Sequence, residues 1–407
     1  PPFSIADTTN FIPTPDEIIT IAGQVGGEGI PMSATGDGTS YTATVGAGEY
    51  IIIISGSDIY NPMVVSAAYG DANNDASLGN GNVSADSNWS LEGGTVFAKS
   101  TAVEIEKTVS DPDVMAGEKV SYRIEGVIPS YSGTFTNPVY SITDTLTNAT
   151  YATDGEPAVK VEPVVTIGGA TAQKDEDYTL QWNGENGFTI NFLNLDDYAG
   201  LTNEQREVVI TYEAVISESA VSTDPATNEA TVNYGNSTDE KTDSDKTYTY
   251  TFKIDTQFTK VDENRKPLDG AEFTLYKEDG VTVVDTCITE ITGIEGQQAA
   301  YIHFEDLDAG TYKLKETDAP DGYSINDTVY TIQIIPEYYT EADGEELEGQ
   351  LKDVTITVDG EEKTVEVQNT KLASLPSTGG IGTTIFTIGG CAIMIAAAAL
   401  YFVNRRK

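Results

Sequence analysis

Short segments in which apolar and polar residues alternate recur along most of this chain. A period of two, interrupted by turns rich in Gly, Asn and Asp, predicts β-strands with one buried face. In the first 99 residues the predicted strands include 18–21, 41–45 and 50–54, with turns such as Gly36-Asp37-Gly38 between them. No helix of note is predicted before Ile381. The pattern therefore indicates an all-β chain up to that point.

Three predicted strands between residues 100 and 249 carry a polar residue on the apolar face. Each polar residue alternates in phase with apolar neighbours: Lys107 with Val103, Ile105 and Val109; Asp144 with Tyr140, Ile142 and Leu146; Asn228 with Ala230, Val232 and Tyr234. Asn236 has the same parity as Asn228 and is a weaker candidate. Because side chains alternate across a strand, Lys107, Asp144 and Asn228 are predicted to point inward.

The region from residue 250 to residue 372 repeats this combination of residue types. Again each polar residue is in phase with apolar ones: Lys260 with Phe258, Glu316 with Tyr312 and Leu314, and Asn369 with Val365 and Val367. Residues 246–250 are predicted to be a short linker between the two regions. The sequence thus places a lysine, an acid and an asparagine on inward faces twice.

Burial of such a trio has a chemical consequence. Desolvation lowers the pKa of a lysine and raises that of a carboxyl group, which yields a nucleophilic amine beside a proton-carrying acid. The amine can attack an asparagine side-chain amide, and release of ammonia leaves an uncharged isopeptide bond. The alternative is a buried lysine–acid ion pair with a hydrogen-bonded asparagine, and strand parity alone does not decide between the two.

The apolar segment at the end of the chain differs from everything before it. Residues 381–403 contain no charged residue and are followed by Arg405, Arg406 and Lys407. A helix of this length crosses the hydrocarbon core of a bilayer, and cations behind it favour the cytoplasmic side. The pattern predicts a membrane span, with the preceding residues outside the cell.

Composition narrows the functional classes. The formal net charge is −43 and the pI is about 4.1, which excludes nucleic-acid binding through a basic surface. The two cysteines, Cys287 and Cys391, lie in the third region and in the apolar segment, so no internal disulfide is expected. The single histidine, His303, has no nucleophile motif around it, and we expect no enzyme for external substrates, no cofactor and no metal site.

The chain end resembles the cell-wall sorting signal of Gram-positive surface proteins. The pattern LPxTG is complete in Leu375, Pro376, Ser377, Thr378 and Gly379, and the apolar segment and basic tail follow it in the expected order. The resemblance implies that a sortase cleaves a membrane-inserted precursor between Thr378 and Gly379 and transfers the Thr378 carbonyl to an amine. It also implies attachment at the cell surface.

Two further resemblances concern the trios. Residues 312–323 match the pilin E-box, YxLxETxAPxGY, and the third region resembles a Cna-type B domain. The middle region resembles the isopeptide-forming domain of fimbrial subunits. By resemblance, Lys260 would be joined to Asn369 with Glu316 as the promoting acid, and Lys107 to Asn228 with Asp144 as the acid. The linked residues are expected on the first and last strands of each domain.

Lys99 is the first cation of the chain. It ends the segment Val96-Phe97-Ala98-Lys99, which with Trp89 resembles the pilin motif WxxxVxVYPK, although Phe97 and Ala98 depart from it. The resemblance implies that Lys99 accepts the Thr378 carbonyl of the next subunit. The alternative is an ordinary solvated lysine in a linker.

The resulting hypothesis is an all-β protein of three tandem Ig-like or Cna-type β-sandwich domains followed by a C-terminal transmembrane helix. The predicted boundaries are 1–99, 100–249, 250–372 and 373–407. The predicted function is the shaft subunit of a sortase-polymerised pilus, with sortases, further copies of the chain, minor pilins and peptidoglycan as partners. The alternative is a singly wall-anchored adhesin that binds a host or matrix ligand.

Overall fold

The computed structural model describes residues 18, 21–22, 29–36, 38–46, 48–54, 60, 62–71, 89–92, 94–98, 103–131, 135, 137–237, 239–294, 297–344, 347–372 and 382–404. Strands dominate these residues, and the predicted all-β class is confirmed. The chain forms two compact units. The first comprises Pro1–Lys253, Glu305–Ala309 and Ile334–Val354, and the second comprises Ile254–Phe304, Gly310–Gln333 and Thr355–Lys407.

The N-terminal part of the first unit has short strands, in order β1 (Ser33–Ala34), β2 (Tyr41–Thr42), β3 (Gly48–Ile52), β4 (Met63–Asp71) and β5 (Trp89–Glu92). Strands β1 and β2 pair with each other, and β3, β4 and β5 form a second antiparallel sheet. The strand predicted at 18–21 is wrong, because Ile18 and Ile21 are helical. The sequence Thr14-Pro15-Asp16-Glu17 before them is typical of a helix start, and this signal outweighs the β-branched residues.

Residues 105–249 of the first unit form a longer series of strands: β6 (Ile105–Val109), β7 (Lys119–Val127), β8 (Pro138–Thr147), β9 (Ala149–Tyr151), β10 (Thr153–Asp154), β11 (Val159–Lys160), β12 (Val164–Ile167), β13 (Ala170–Thr171), β14 (Tyr178–Trp182), β15 (Gly187–Phe192), β16 (Glu207–Ile216), β17 (Ala226–Asn236) and β18 (Asp239–Thr249). One sheet has the order β13-β12-β16-β7-β6, with β9 also paired to β16. The other has the order β14-β15-β8-β17-β18. Inward residues of both sheets form one hydrophobic core.

Strand β18 corrects the predicted linker at 246–250. These residues mostly continue an ordered strand that pairs with β17 along its whole length. The strand escaped prediction because its sequence, DEKTDSDKTYT, lacks an apolar face. Its carboxylates have a structural task instead, since Asp243 accepts a hydrogen bond from the backbone N–H of Ile105 (3.2 Å) and Asp245 one from that of Lys107 (2.6 Å). The side chains of β18 thus satisfy the free edge of β6.

The remaining strands are β19 (Phe252–Ile254), β20 (Phe258–Val261), β21 (Glu272–Lys277), β22 (Val283–Ile288), β23 (Glu290–Thr292), β24 (Ala299–Tyr301), β25 (Phe304–Leu307), β26 (Gly310–Asp318), β27 (Val329–Tyr338), β28 (Leu351–Val358) and β29 (Val365–Gln368). One sheet has the order β23-β24-β20-β29, and its β20 and β29 run parallel. The other has the order β22-β21-β26-β27-β28. Phe258, Phe273, Leu275, Ala300 and Leu314 are fully buried.

Helical structure is sparse within the described residues. Two 3-10 turns cover Leu195–Tyr198 and Glu341–Asp343, and α1 is the single turn Asn203–Arg206, closed by a capping box in which Thr202 and Gln205 bond reciprocally. Helix α2 (Gly382–Asn404) lies where the membrane span was predicted, and some of its side chains fall outside the description. Among the described residues, no helix combines the length and apolarity needed to cross a membrane.

Candidate functional site

The polar trio of the first unit meets inside its hydrophobic core. Lys107 comes from β6 in one sheet, whereas Asp144 on β8 and Asn228 on β17 come from the other. Strand β17 pairs with β8 so that Ala230 lies opposite Asp144. The exposed fractions of Lys107, Asp144 and Asn228 are 4%, 0% and 0%. Strand parity therefore placed each side chain on the correct face.

A tyrosine connects the three members of this trio. Nζ of Lys107 lies 2.6 Å from Oδ2 of Asp144 and donates a hydrogen bond of 2.6 Å to the Tyr212 hydroxyl. That hydroxyl donates to Oδ2 of Asp144 (2.5 Å) and accepts from Nδ2 of Asn228 (2.7 Å). Oδ1 of Asn228 has no hydrogen-bond partner among the described residues. The Tyr212 oxygen thus contacts the amine, the acid and the amide at once.

A second tyrosine fixes the acid. The Tyr151 hydroxyl donates a 2.6 Å hydrogen bond to Oδ1 of Asp144. The rings of Tyr122 and Tyr212 flank Nζ of Lys107, with centroids at 5.3 Å and 5.2 Å. Sequence reasoning missed Tyr212 and Tyr151. The available signal was the inward parity of Tyr212 on β16, because a buried phenol requires a polar partner.

Burial sets the proton affinities of this site. Desolvation lowers the pKa of Lys107 below its ordinary value, and the attraction of Asp144 only partly offsets that effect. Burial raises the pKa of Tyr212 well above its ordinary value and that of Tyr122 to about 12. The amine therefore gives up its proton more readily than a solvated lysine, while the phenols stay protonated.

The trio of the second unit is arranged more directly. Lys260 lies on β20, Asn369 follows the last residue of the adjacent parallel strand β29, and Glu316 lies on β26 in the other sheet. The backbone N–H of Asn369 donates to the carbonyl of Val261 (3.0 Å), which extends the β20–β29 ladder by one residue. Lys260, Glu316 and Asn369 are each at most 1% exposed.

Here the acid contacts both reacting partners. Nζ of Lys260 lies 2.5 Å from Oδ1 of Asn369 and 3.1 Å from Oε2 of Glu316. Nδ2 of Asn369 donates a 2.6 Å hydrogen bond to Oε1 of Glu316. The backbone N–H of Asn326 donates to Oε2 of Glu316 (2.9 Å) and holds the carboxyl in place. Burial lowers the pKa of Lys260, opposed by Glu316.

Other residues singled out from the sequence are located as follows. Lys99 and Leu375, Pro376, Ser377, Thr378 and Gly379 lie outside the described residues. Asn236 is away from the trio, and its Oδ1 accepts from the backbone N–H of Asn137. The expectation that Asn228 lies on the last strand of its domain is wrong, because β18 follows β17 in the same sheet. Within the described residues, no group of His, Cys, Asp and Glu has the arrangement of a metal site.

Comparison with protein families identifies two segments. Residues 254–345 match a prealbumin-like fold domain of the SpaA type, and residues 367–407 match the LPXTG cell wall anchor motif. The first match contains Lys260 and Glu316, and the second contains Asn369. Both agree with the resemblances identified in the sequence.

Two relatives match most of the chain. The trypsin-resistant surface T6 protein of Streptococcus pyogenes serotype M6 is 27% identical over 97% of this chain and 86% of that protein. Fimbrial subunit type 2 of Actinomyces naeslundii is 26% identical over 77% of this chain and 62% of that protein. The solved T6 backbone pilin of S. pyogenes superposes with a TM-score of 0.52 at 23% identity, covering 91% of each chain, which shows a shared fold.

The anchor motif and the match to the T6 protein both indicate a protein of the cell surface. An LPXTG anchor motif occurs at the end of the chain, after a prealbumin-like domain, and the match to the T6 protein extends over both compact units. The chain is therefore a cell-wall-anchored surface protein of the LPXTG type, homologous to the streptococcal T6 protein.

Proposed function

We propose that this chain is the shaft subunit of a covalent, sortase-polymerised pilus, hardened by isopeptide bonds between Lys107 and Asn228 and between Lys260 and Asn369. The observation that carries the proposal is the burial of two complete lysine–acid–asparagine trios in one chain that ends in an LPXTG anchor. A load-bearing shaft needs covalent reinforcement, and the two cysteines are free.

The geometry of the second trio supports a direct mechanism. Lys260 transfers a proton to Glu316, and the free amine attacks Cγ of Asn369, whose Oδ1 lies 2.5 Å away. Glu316 then delivers its proton to Nδ2, with which it is hydrogen-bonded, and takes one from the attacking nitrogen. The C–Nδ2 bond breaks and ammonia leaves. A buried ion pair is replaced by a neutral amide, so burial favours the product.

Polymerisation uses the two ends of the subunit. A sortase cleaves between Thr378 and Gly379 and holds the Thr378 carbonyl as an acyl-enzyme, which Lys99 of another copy attacks. Repetition joins subunits head to tail in an open, heterologous filament. The last copy is transferred to peptidoglycan, and minor pilins share the same sortase chemistry. The subunit itself needs no enzymatic activity on external substrates.

The test compares surface extracts from cells that express the wild-type chain, Lys99→Ala or the control Lys119→Ala. Lys119 is an exposed lysine of β7 paired with Glu213. The extracts are boiled in SDS and blotted for this protein. We expect ladders of covalent multimers in the wild type and in Lys119→Ala, and a single wall-linked species in Lys99→Ala.

Two other outcomes would contradict parts of the proposal. Ladders in all three strains would assign the acceptor to a different lysine. A single wall-linked band in all three would exclude the polymerised shaft and leave a singly anchored adhesin.

A further inference from the structure

The two trios differ in how the acid reaches the leaving nitrogen. In the second unit Glu316 hydrogen-bonds to Nδ2 of Asn369 at 2.6 Å. In the first unit no hydrogen bond joins Asp144 to Asn228 among the described residues. The Tyr212 hydroxyl lies between them instead, 2.5 Å from Oδ2 of Asp144 and 2.7 Å from Nδ2 of Asn228. An acid–base step at Asn228 therefore requires an intermediary.

We propose that Tyr212 is a catalytic residue of the Lys107–Asn228 cross-link, which relays a proton from Asp144 to the amide nitrogen that leaves Asn228. The inference rests on the proposed function, because it assumes that this cross-link forms. In the first unit the Tyr212 hydroxyl would make the contact to the leaving nitrogen that Glu316 makes directly in the second unit.

The proton transfers balance as follows. Lys107 gives one proton to Asp144, and its free amine forms a bond to Cγ of Asn228. When the C–Nδ2 bond breaks, its electron pair goes to the nitrogen, which takes the proton of the Tyr212 hydroxyl. Tyr212 recovers a proton from Asp144, and Asp144 takes the second proton of the attacking nitrogen. The products are a neutral amide, a neutral acid, an unchanged tyrosine and ammonia.

The surroundings of Tyr212 suit a relay. Its hydroxyl donates to Asp144 and accepts from Nδ2, so it can pass a proton on without a net change of charge. Its ring packs against those of Phe188 (5.2 Å between centroids) and Tyr122 (5.6 Å), which restricts its motion. Tyr151 holds the other oxygen of Asp144 at 2.6 Å and keeps the acid aimed at the relay.

The test times both cross-links in the same full-length molecule. The chain is made by cell-free translation, quenched at intervals and digested, and the 107–228 and 260–369 cross-linked peptides are quantified by mass spectrometry. Tyr212→Phe removes only the hydroxyl, and Tyr140→Phe is the matched control, a buried tyrosine of the same hydrophobic core that does not contact the trio. We expect the 107–228 bond to form roughly 100-fold more slowly, or worse, in Tyr212→Phe alone. The 260–369 bond should form at the wild-type rate in every variant.

The 260–369 bond serves as an internal standard, and it separates the outcomes that would contradict the proposal. Wild-type rates at both sites in Tyr212→Phe would overturn the relay. A wild-type chain that forms the 260–369 bond but never the 107–228 bond would overturn the cross-link itself. If neither bond forms in Tyr212→Phe, the variant has not folded. The rate of 107–228 bond formation is then measured with fluorinated tyrosine at position 212, which keeps the hydroxyl but changes its acidity. A rate that follows the acidity of the phenol supports the relay, and a constant rate overturns it.

Discussion

Nζ of Lys260 lies 2.5 Å from Oδ1 of Asn369, and Glu316 hydrogen-bonds to both residues. The acid therefore bridges the atom that attacks and the nitrogen that leaves. This geometry makes Glu316 the residue whose removal most directly tests the chemistry of the second unit.

Glu316→Gln should slow formation of the Lys260–Asn369 bond by about 100-fold or more, because a glutamine cannot accept and return the proton. Intact-mass measurement should show retention of one ammonia relative to the wild type, with the 107–228 bond intact. The matched control is Glu366→Gln, an outward glutamate of β29 paired with Arg265. Full loss of ammonia in Glu316→Gln would refute the assignment.

Asn228→Ala should destabilise the first unit while it leaves the Lys107–Asp144 pair in place. The cross-link closes a loop of 121 residue steps, for which the loop-entropy model gives about 4 to 5 kcal/mol of stabilisation. Thermal unfolding and trypsin digestion of the full chain should both show the loss. Asn236→Ala serves as the control, and equal effects of the two changes would contradict the assignment of Asn228.

Gly126→Ala should cost about 1 to 3 kcal/mol, because the added Cβ would lie 2.7 Å from the buried Tyr140 hydroxyl. That hydroxyl has no hydrogen-bond partner among the described residues. Tyr140→Phe alone should therefore be nearly neutral. The Gly126→Ala, Tyr140→Phe double variant should recover most of the loss in thermal unfolding, and additive losses would rule out this clash.

The contact between two carboxyl groups of the first unit predicts that the stability of the folded chain depends on pH. Asp113 accepts hydrogen bonds from the Tyr338 hydroxyl (2.5 Å) and the Ala309 N–H (3.0 Å), and it hydrogen-bonds with Asp308. Burial, followed by the contact with Asp113, raises the pKa of Asp308 to about 7, and Asp111 contributes in the same direction. The folded chain therefore binds more protons than the unfolded chain between the ordinary aspartate pKa and about 7.

The stability from this pair should be greatest at the acidic end of that window and should fall as the pH rises through about 7. Asp308 is only half-buried, so solvent screening reduces the effect to about 1 kcal/mol. Thermal midpoints measured at about pH 5 and about pH 8 should converge in Asp308→Asn relative to the wild type. The exposed Asp321→Asn control should keep the wild-type difference. If the two midpoints differ as much in Asp308→Asn as in the wild type, Asp308 is not the source of the pH dependence.

Strand parity was enough to predict the burial of Lys107, Asp144 and Asn228, since inward and outward positions alternate along each strand. The tyrosines were not predictable in the same way. A tyrosine among apolar residues on β16 is an ordinary core residue by pattern, and two of its polar partners, Asp144 and Asn228, lie in the other sheet. That pairing depends on non-local packing, which periodicity does not encode.

Strand β18 is a strand that the pattern of apolar residues does not reveal. Its last residues belong to the linker predicted at 246–250, yet the strand pairs with β17 from Ala226–Thr249 to Asn236–Asp239. The carboxylates of Asp243 and Asp245 accept hydrogen bonds from the backbone of β6. Polar strands of this kind are specified by their neighbours, so a sequence read in isolation misses them.

The position of β18 after Asn228 has a mechanical consequence. With both isopeptide bonds formed, 32 residue steps between Asn228 and Lys260 lie outside either closed loop. Tension passes through the loops along covalent bonds, but through this segment it is resisted by the hydrogen bonds of β17 and β18. At roughly 3.3 to 3.6 Å per extended residue, the segment stores on the order of 100 Å of contour length. Each subunit would then lengthen once under high load, when these hydrogen bonds break, and would shorten again when the strands re-form.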